Sequence, residues 1–421
     1  MKYTNYDMNA YNLHVINTNK FKTITVEVDF RYSVNAKSIT KTNILKDMLL
    51  SSSYNYPSEI ELVKETENLY DLKLSSSNIR IGNDNVLSFR TRFLNEIYTE
   101  NKMNEESIKF LLDVIFNPNV KNGKFNDEEL KKSKNKLAKN IHSIKDNKLK
   151  YALFNLFSKY PDKPYSYNPY GYIEELDEID SDNLYTYYKD IINNSIIDIF
   201  VVGDVDGDKI KNIFKDNFKA YMFHPKRVDI LVKELEPAKR IKKYKDIEDA
   251  NQSQFTMLCS LNGLTDFERK YVLLVYNEML GGSSNSILFD TVRGKNSYAY
   301  YVNSSHKAYD NILFIYAGVE PGNDEAVLKL VRKSLVDISK GKFNDELLEA
   351  SKKAIISGIT TSFDYPVGII NNYLAKVLVN SEDADVRIRN IEKITRDDII
   401  SLAKKVRPNA VYVLEGQHEG D

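Results

Sequence analysis

The chain has 421 residues, enough for two or three ordinary domains with a core in each. Its 59 Lys and Arg against 60 Asp and Glu leave a formal charge of −1, so no global field favours nucleic acid or anionic lipid as a partner. The one cysteine, Cys259, sits in an apolar run; that excludes a disulfide framework and fits a buried free thiol in a cytoplasmic protein.

No window approaches the roughly 18 apolar residues of a membrane span. Met1 to Tyr6 lacks the apolar stretch of a signal peptide, so neither a membrane anchor nor export is expected. Asn12–Asn17 and Thr23–Val34 read as strands, the second alternating through Val26, Val28, Phe30 and Tyr32. Ala36–Ser52 has helical spacing, with Ile39, Ile44, Leu45 and Met48 on one side. Pro57 at a first-turn position opens a second helix through Leu69. Strands at Asp71–Ile81 and Asn85–Phe93 flank a Gly82-Asn83-Asp84 turn. Helices are expected over Glu105–Phe116, from Asn126 towards Asp146, and over Lys150–Lys159. After a Tyr- and Pro-rich connection come a helix at Ser181–Asn193, a buried strand at Ile196–Val202 and a helix at Asp208–Phe218.

Lys219–Asp249 is basic between Lys239 and Lys245 and is interrupted by Pro225 and Pro237; it reads as a linker. The second half repeats the order of the first. A strand at Gln252–Leu261 leads into a helix at Asp266–Leu280, a turn at Gly281–Ser284 and a short helix at Ser286–Val292. Strands at Ala299–Ser304 and Asn311–Val319 follow, then helices at Asp324–Ile338, Val367–Val379 and Arg396–Val406, and a last strand at Ala410–Leu414.

The duplication is also literal. Gly123-Lys124-Phe125-Asn126-Asp127-Glu128-Glu129-Leu130-Lys131-Lys132-Ser133-Lys134 returns from Gly341 to Lys352 with nine of twelve positions identical. That spacing is far beyond the roughly 20–50 residues of a solenoid repeat, so it implies two domains of one fold. In both copies an asparagine, Asn126 or Asn344, can cap the following helix, and Phe125 with Leu130, or Phe343 with Leu348, forms a hydrophobic staple. Leu130, Leu137 and Ile141, like Leu348, Ile355 and Ile359, then share one helical face. The expected fold is α+β: two homologous domains of one two-layer design, an antiparallel sheet covered by helices, at 1–218 and 250–421 with 219–249 between them.

Chemistry is hard to find by spacing. A catalytic zinc needs about three protein ligands and one open position. His14, His142, His224, His306 and His418 each stand alone, so no metal or other cofactor is expected. Gly281-Gly282-Ser283-Ser284-Asn285-Ser286 could present free amides to an anion or simply turn between two helices. No nucleophile elbow occurs. Tyr165, Tyr167, Tyr170 and Tyr172 lack interleaved basic residues, so packing is their default role.

The run from Leu280 to Tyr300 resembles the second-domain signature of the pitrilysin, insulinase and mitochondrial processing peptidase family, approximately LGGxxxSxLFxxVRExxGLAY. Leu280, Gly281, Gly282, Ser286, Leu288, Phe289, Val292, Arg293, Ala299 and Tyr300 match. The resemblance extends over nearly the whole chain and implies a clam-shell of two such domains. Active members are zinc peptidases with HxxEH on a first-domain helix and a further Glu ligand on a later one. The equivalent helix here reads Thr42-Asn43-Ile44-Leu45-Lys46-Asp47-Met48-Leu49-Leu50, against a family pattern like AHFLEHMLF. The resemblance therefore puts Asn43 and Asp47 at ligand positions, Lys46 at the general-base position, and Lys139 or Asn140 where the later Glu belongs. It also implies that Arg293 and Tyr300 contact a peptide substrate.

What the resemblance implies is a catalytically inactive bacterial peptidase homologue that forms a heterodimer with an active zinc-bearing homologue, or a homodimer, to bind and process peptides or proteins. The alternatives are a peptide- or protein-binding scaffold without a peptidase partner, and an enzyme whose metal site has moved.

Overall fold

The computed structural model describes residues 1–218 and 229–417. In the first half, strands β1 (Lys2–Asp7), β2 (Asn12–Asn17) and β3 (Thr23–Ser33) lead to helices α1 (Ile39–Ser51) and α2 (Glu59–Asn68). The hairpin β4 (Lys73–Ile81) and β5 (Asp84–Leu94) precedes α3 (Met103–Phe116), a small hairpin β6 (Val120–Lys121) and β7 (Lys124–Phe125), α4 (Asp127–His142) and α5 (Lys148–Phe157). Helix α6 (Ser181–Asn194), strand β8 (Ile196–Gly203) and helix α7 (Gly207–Asn217) complete it.

The second half starts with β9 (Lys242–Asp249) and β10 (Ser253–Leu261). One helix then runs through three segments: π-helical Glu268–Val272, α8 (Leu273–Asn277) and π-helical Glu278–Gly282. A short π-helical segment, Phe289–Gly294, precedes β11 (Ala299–Lys307) and β12 (Ile312–Val319). Helices α9 (Asp324–Ser339), α10 (Asp345–Thr361), α11 (Pro366–Val379), α12 (Ala384–Glu392) and α13 (Arg396–Ala403) lead to β13 (Val406–Gln417).

The chain divides into two compact units. Unit 1 has a six-stranded sheet in the order β1-β2-β8-β3-β5-β4, and unit 2 a five-stranded sheet in the order β11-β12-β10-β13-β9. Pairing is antiparallel except for one parallel pair in each sheet, β2 with β8 and β13 with β9. The expected α+β fold of two like halves is what the structure has, although its sheets are mixed rather than purely antiparallel.

Alternation explains how each sheet is covered. On β3, Val26, Val28 and Phe30 are fully buried in the core formed with α1, α3 and α6. The residues between them, Glu27, Asp29 and Arg31, belong to the opposite face. In unit 2 that opposite face is apolar: Leu258, Phe314, Tyr412 and Leu414 pack with Ala152, Leu156 and Phe157 of α5. A helix from the first half therefore covers the second sheet, adding a layer to the two expected.

The units are accordingly interleaved. Unit 1 is Met1–His142, Asn168–Asp229 and Phe363–Leu374; unit 2 is Ser143–Tyr167, Ile230–Ser362 and Ala375–Asp421. This differs from contiguous stretches at 1–218, 219–249 and 250–421. Residues 219–228 lie outside the described residues, and so does His418. The rest of the supposed linker ends in β9, a strand whose exposed, highly charged sequence suits the edge of a sheet. Other differences are local. Pro57 precedes the second helix, which Ser58 caps by accepting from the amide of Glu61 at 3.3 Å. β1 and α12 have too little apolar pattern to be read from sequence.

Both repeat copies behave as their residues require. The Asn126 side-chain oxygen accepts from the amides of Glu128 and Glu129 at 2.9 and 3.1 Å, and that of Asn344 from the amide of Leu347 at 2.9 Å. Leu130, Leu137, Leu348 and Ile359 are buried. Replacing either capping asparagine by alanine should cost about 1 kcal/mol, whereas Leu130→Ala or Leu348→Ala should cost roughly 2–5 kcal/mol. Denaturant titrations of the four variants would check this ranking.

His306 on β11 carries a buried Nδ1 without a hydrogen-bond partner, and burial pushes its imidazole down to about 4 from an ordinary 6.5. Between those values the unfolded chain binds the proton and the folded one does not, so this contribution to stability is lost as pH falls from about 6.5 to 4. His306→Gln should therefore melt with a shallower pH dependence than the wild type across that window.

Candidate functional site

Helix α1 is anchored by Ile44, Leu45, Met48 and Leu49, none more than 2% exposed. Lys46 and Asp47 lie between those anchors and are half-buried, and Asn43 directly precedes Ile44. Asn43 is itself buried, and its Nδ2 donates to the carbonyl oxygens of Ile39 at 3.0 Å and Pro169 at 2.9 Å. Both amide hydrogens are thus spent on backbone. Lys46 is partly buried. Burial holds its ammonium group below its ordinary pKa; Asp47 opposes that shift and Lys136 adds to it.

The carboxylate of Asp47 is paired with the ammonium of Lys136 on α4. A cavity of about 580 Å³ beside this pair is lined by Asp47 and Ser51 from α1 and by Glu129, Lys132, Ser133 and Lys136 from α4. Glu129 accepts from the Ser52 hydroxyl at 2.8 Å. Lys139 and Asn140 are exposed on α4, Asn140 one turn beyond Lys136 on the same face. The structure thus brings Asp47 and Lys46 into one electrostatic cluster with α4, through Lys136. Sequence reasoning missed that residue; its spacing of four from Asn140 was the available signal. Among the described residues, no group of three or more His, Cys, Asp and Glu side chains is arranged to hold a metal ion.

In unit 2 the glycine pair has a packing role. Gly281 is buried and closes its helix at φ −160°, ψ 18°. A Cβ there would lie 2.6 Å from the backbone nitrogen of Ser304 on β11. The turn brings the helix end onto the strand, the plainer of its two sequence readings.

Arg293 lies in the last turn of the short π-helical segment packed beside β11, with its guanidinium 4.9 Å from the Phe289 ring centroid. Tyr300 is the extra residue of a β-bulge: Ala299 pairs with Val319 and Tyr301 with Gly318, leaving Tyr300 between them. A bulge re-aims the side chain it carries, and Tyr300 is 57% exposed. Both side chains stand out from unit 2 on adjoining elements. Arg293 keeps its planar fork of donors available for a carboxylate or a peptide carbonyl.

Comparison with known proteins finds the same fold among peptidase-like proteins. Residues 178–355 match the family described as peptidase M16 inactive domain. The chain is 25% identical over 416 residues to the probable inactive metalloprotease YmfF of Bacillus subtilis, covering 96% of this chain and 95% of that protein. A conserved protein from Enterococcus faecalis has the same fold, with a TM-score of 0.91, 25% identity and full coverage of both chains. The peptidase M16 inactive domain from Pseudomonas fluorescens follows at a TM-score of 0.81 and 14% identity, covering 99% of this chain and 98% of that one. The chain is thus similar over nearly its whole length to inactive M16 peptidase homologues, the family that its Leu280–Tyr300 run resembles.

The packing role of Gly281 is testable. Gly281→Ala should lower the melting temperature, because the new Cβ meets backbone. Gly358→Ala, within α10 and with open space around it, should raise stability by up to about 1 kcal/mol. Paired thermal melts would decide.

Proposed function

We propose that this protein is the non-catalytic subunit of a peptidase pair, binding peptide beside a zinc-bearing M16 homologue that supplies the chemistry. The observation that carries the reading is the Asp47–Lys136 pair. At the family's ligand and base positions stand an amide committed to carbonyls, a lysine, and a carboxylate already neutralised by another lysine. An ammonium about 4 Å from a dication is repelled by roughly 8 kcal/mol at an effective dielectric constant of 20. One remaining carboxylate does not offset that, and zinc sites draw on about three ligands. These residues do not fit zinc, and no hydrolytic step is assigned to them.

Arg293 and Tyr300 support a retained role in holding substrate, since both are exposed and suited to a peptide backbone or carboxylate. No helix among the described residues is long and apolar enough to cross a membrane. Burial pushes the Cys259 thiol up to about 12, so it stays an unreactive thiol. Both features fit a cytoplasmic setting.

Co-expression with an active M16 homologue from the same organism should yield a complex with peptidase activity that neither chain shows alone. In that complex Arg293→Ala or Tyr300→Phe should lower kcat/KM by at least about tenfold, 1.4 kcal/mol, with the partner's zinc content unchanged. A protein that remains alone overturns the pairing. Peptide binding without turnover in the reconstituted mixture would establish the scaffold reading instead.

A further inference from the structure

Among the described residues, one position of unit 1 has no counterpart in unit 2. In unit 1, α7 follows β8 and packs against α3 and β2, burying Ile210 and Phe214 one turn apart. The corresponding elements of unit 2 are β13, α9 and β9: β13 pairs parallel with β9 as β8 does with β2, and α9 follows β12 as α3 follows β5. Among the described residues no helix follows β13.

What lies there is a cavity of about 790 Å³ bounded by α9, the start of β9 and the turn from α13 into β13. Ile241, Leu328, Leu335, Val336, Ala403 and Val406 give it an apolar lining, and Val336 is 48% exposed. Its rim is strongly basic: Lys239, Arg240, Lys329, Arg332, Lys404 and Arg407 all line it. Among the described residues Glu325 is the only acidic one in the lining, and Lys243 already holds it at 2.5 Å. A chain whose charges almost cancel has concentrated one sign at this apolar slot.

We propose that this slot is a docking site for an acidic amphipathic helix of a partner protein, seated as α7 is seated in unit 1. Two apolar side chains one turn apart would occupy the lining, and Asp and Glu on the helix flanks would meet the basic rim. A helix suits it better than an added strand. The edge strand β9 carries Lys242, Lys243 and Lys245, the charges that discourage strand addition. The site is independent of Arg293, Tyr300 and the α1–α4 cluster, so it stands or falls separately from the proposed pairing.

The test is fluorescence anisotropy with the full chain and a labelled helical peptide of about three turns. The peptide carries Ile and Phe four positions apart and Glu along both flanks. Saturable binding is expected, weakened at least tenfold by Lys329→Glu with Arg332→Glu and by Val336→Glu. Circular dichroism confirms that each variant is folded, and Lys404→Glu serves as an independent rim variant if one is not. A peptide of equal charge with Ile and Phe on opposite faces should bind at least tenfold more weakly. Equal binding of that control, or tighter binding of a single-stranded oligonucleotide of matched charge, overturns the proposal. Absence of saturable binding by the designed peptide does so too.

Discussion

Each half of the protein depends on a sheet that must bury both of its faces. One face is covered by helices whose apolar stripes meet side chains such as Val26, Val28 and Phe30 in unit 1 and Phe255, Met257 and Cys259 in unit 2. Burying one such side chain is worth roughly 1.5–3 kcal/mol, so these faces dominate stability. The second faces are handled differently. In unit 2, α5 seals an apolar surface. In unit 1 the face is polar and still buried: Asp198 accepts from His14 Nε2 at 3.2 Å, Arg31 Nε at 2.6 Å and Asn12 Nδ2 at 2.9 Å. Burial alone would raise the Asp198 pKa, but the His14 hydrogen bond and the Arg31 charge outweigh it and hold the carboxyl below its ordinary range. Asp29, equally buried and facing Glu27, is pushed well above its own. Two neighbouring carboxyls are thus shifted in opposite directions, Asp198 downward and Asp29 upward.

That constraint explains how much of the fold could be read from sequence. Elements that bury their own apolar pattern were legible: β3, α1, the β4–β5 hairpin, the two capped and stapled copies at Asn126 and Asn344, and the apolar strands β8, β10 and β12. β1 and β9 were not. They are edge strands whose hydrogen bonds come from a neighbour and whose own sequences, Lys2–Asp7 and Lys242–Asp249, are polar and largely exposed. The interleaving of the units was equally hidden. Ser143–Tyr167 precedes α6 in sequence, yet its apolar residues Ala152, Leu156 and Phe157 pack on the second sheet. Periodicity marks which face of a helix is apolar without identifying the surface that receives it.

The site was legible at a different level. Asn43, Lys46 and Asp47 could be placed on a helix, and a catalytic constellation there could be doubted on residue chemistry alone. Lys136 was invisible because it acts through its contact with Asp47 across two helices. That contact ties α1 to α4 through an ion pair that neither helix shows by itself. The glycine pair shows the opposite case. Gly281 looks functional in sequence but exists so that a helix end can approach β11. The two halves share an order of elements and one parallel pair in each sheet, while the residues on them have diverged.

The claim that the α1–α4 cluster holds no zinc is most directly tested by a calorimetric zinc titration of the purified chain. No stoichiometric binding is predicted for the wild type. A variant combining Asn43→His, Lys46→Glu, Asp47→His, Lys136→Ala and Asn140→Glu should bind one zinc per chain, showing that the frame persists and only the donors are missing. Stoichiometric zinc on the wild-type chain, lost on Asp47→Ala, would contradict the account.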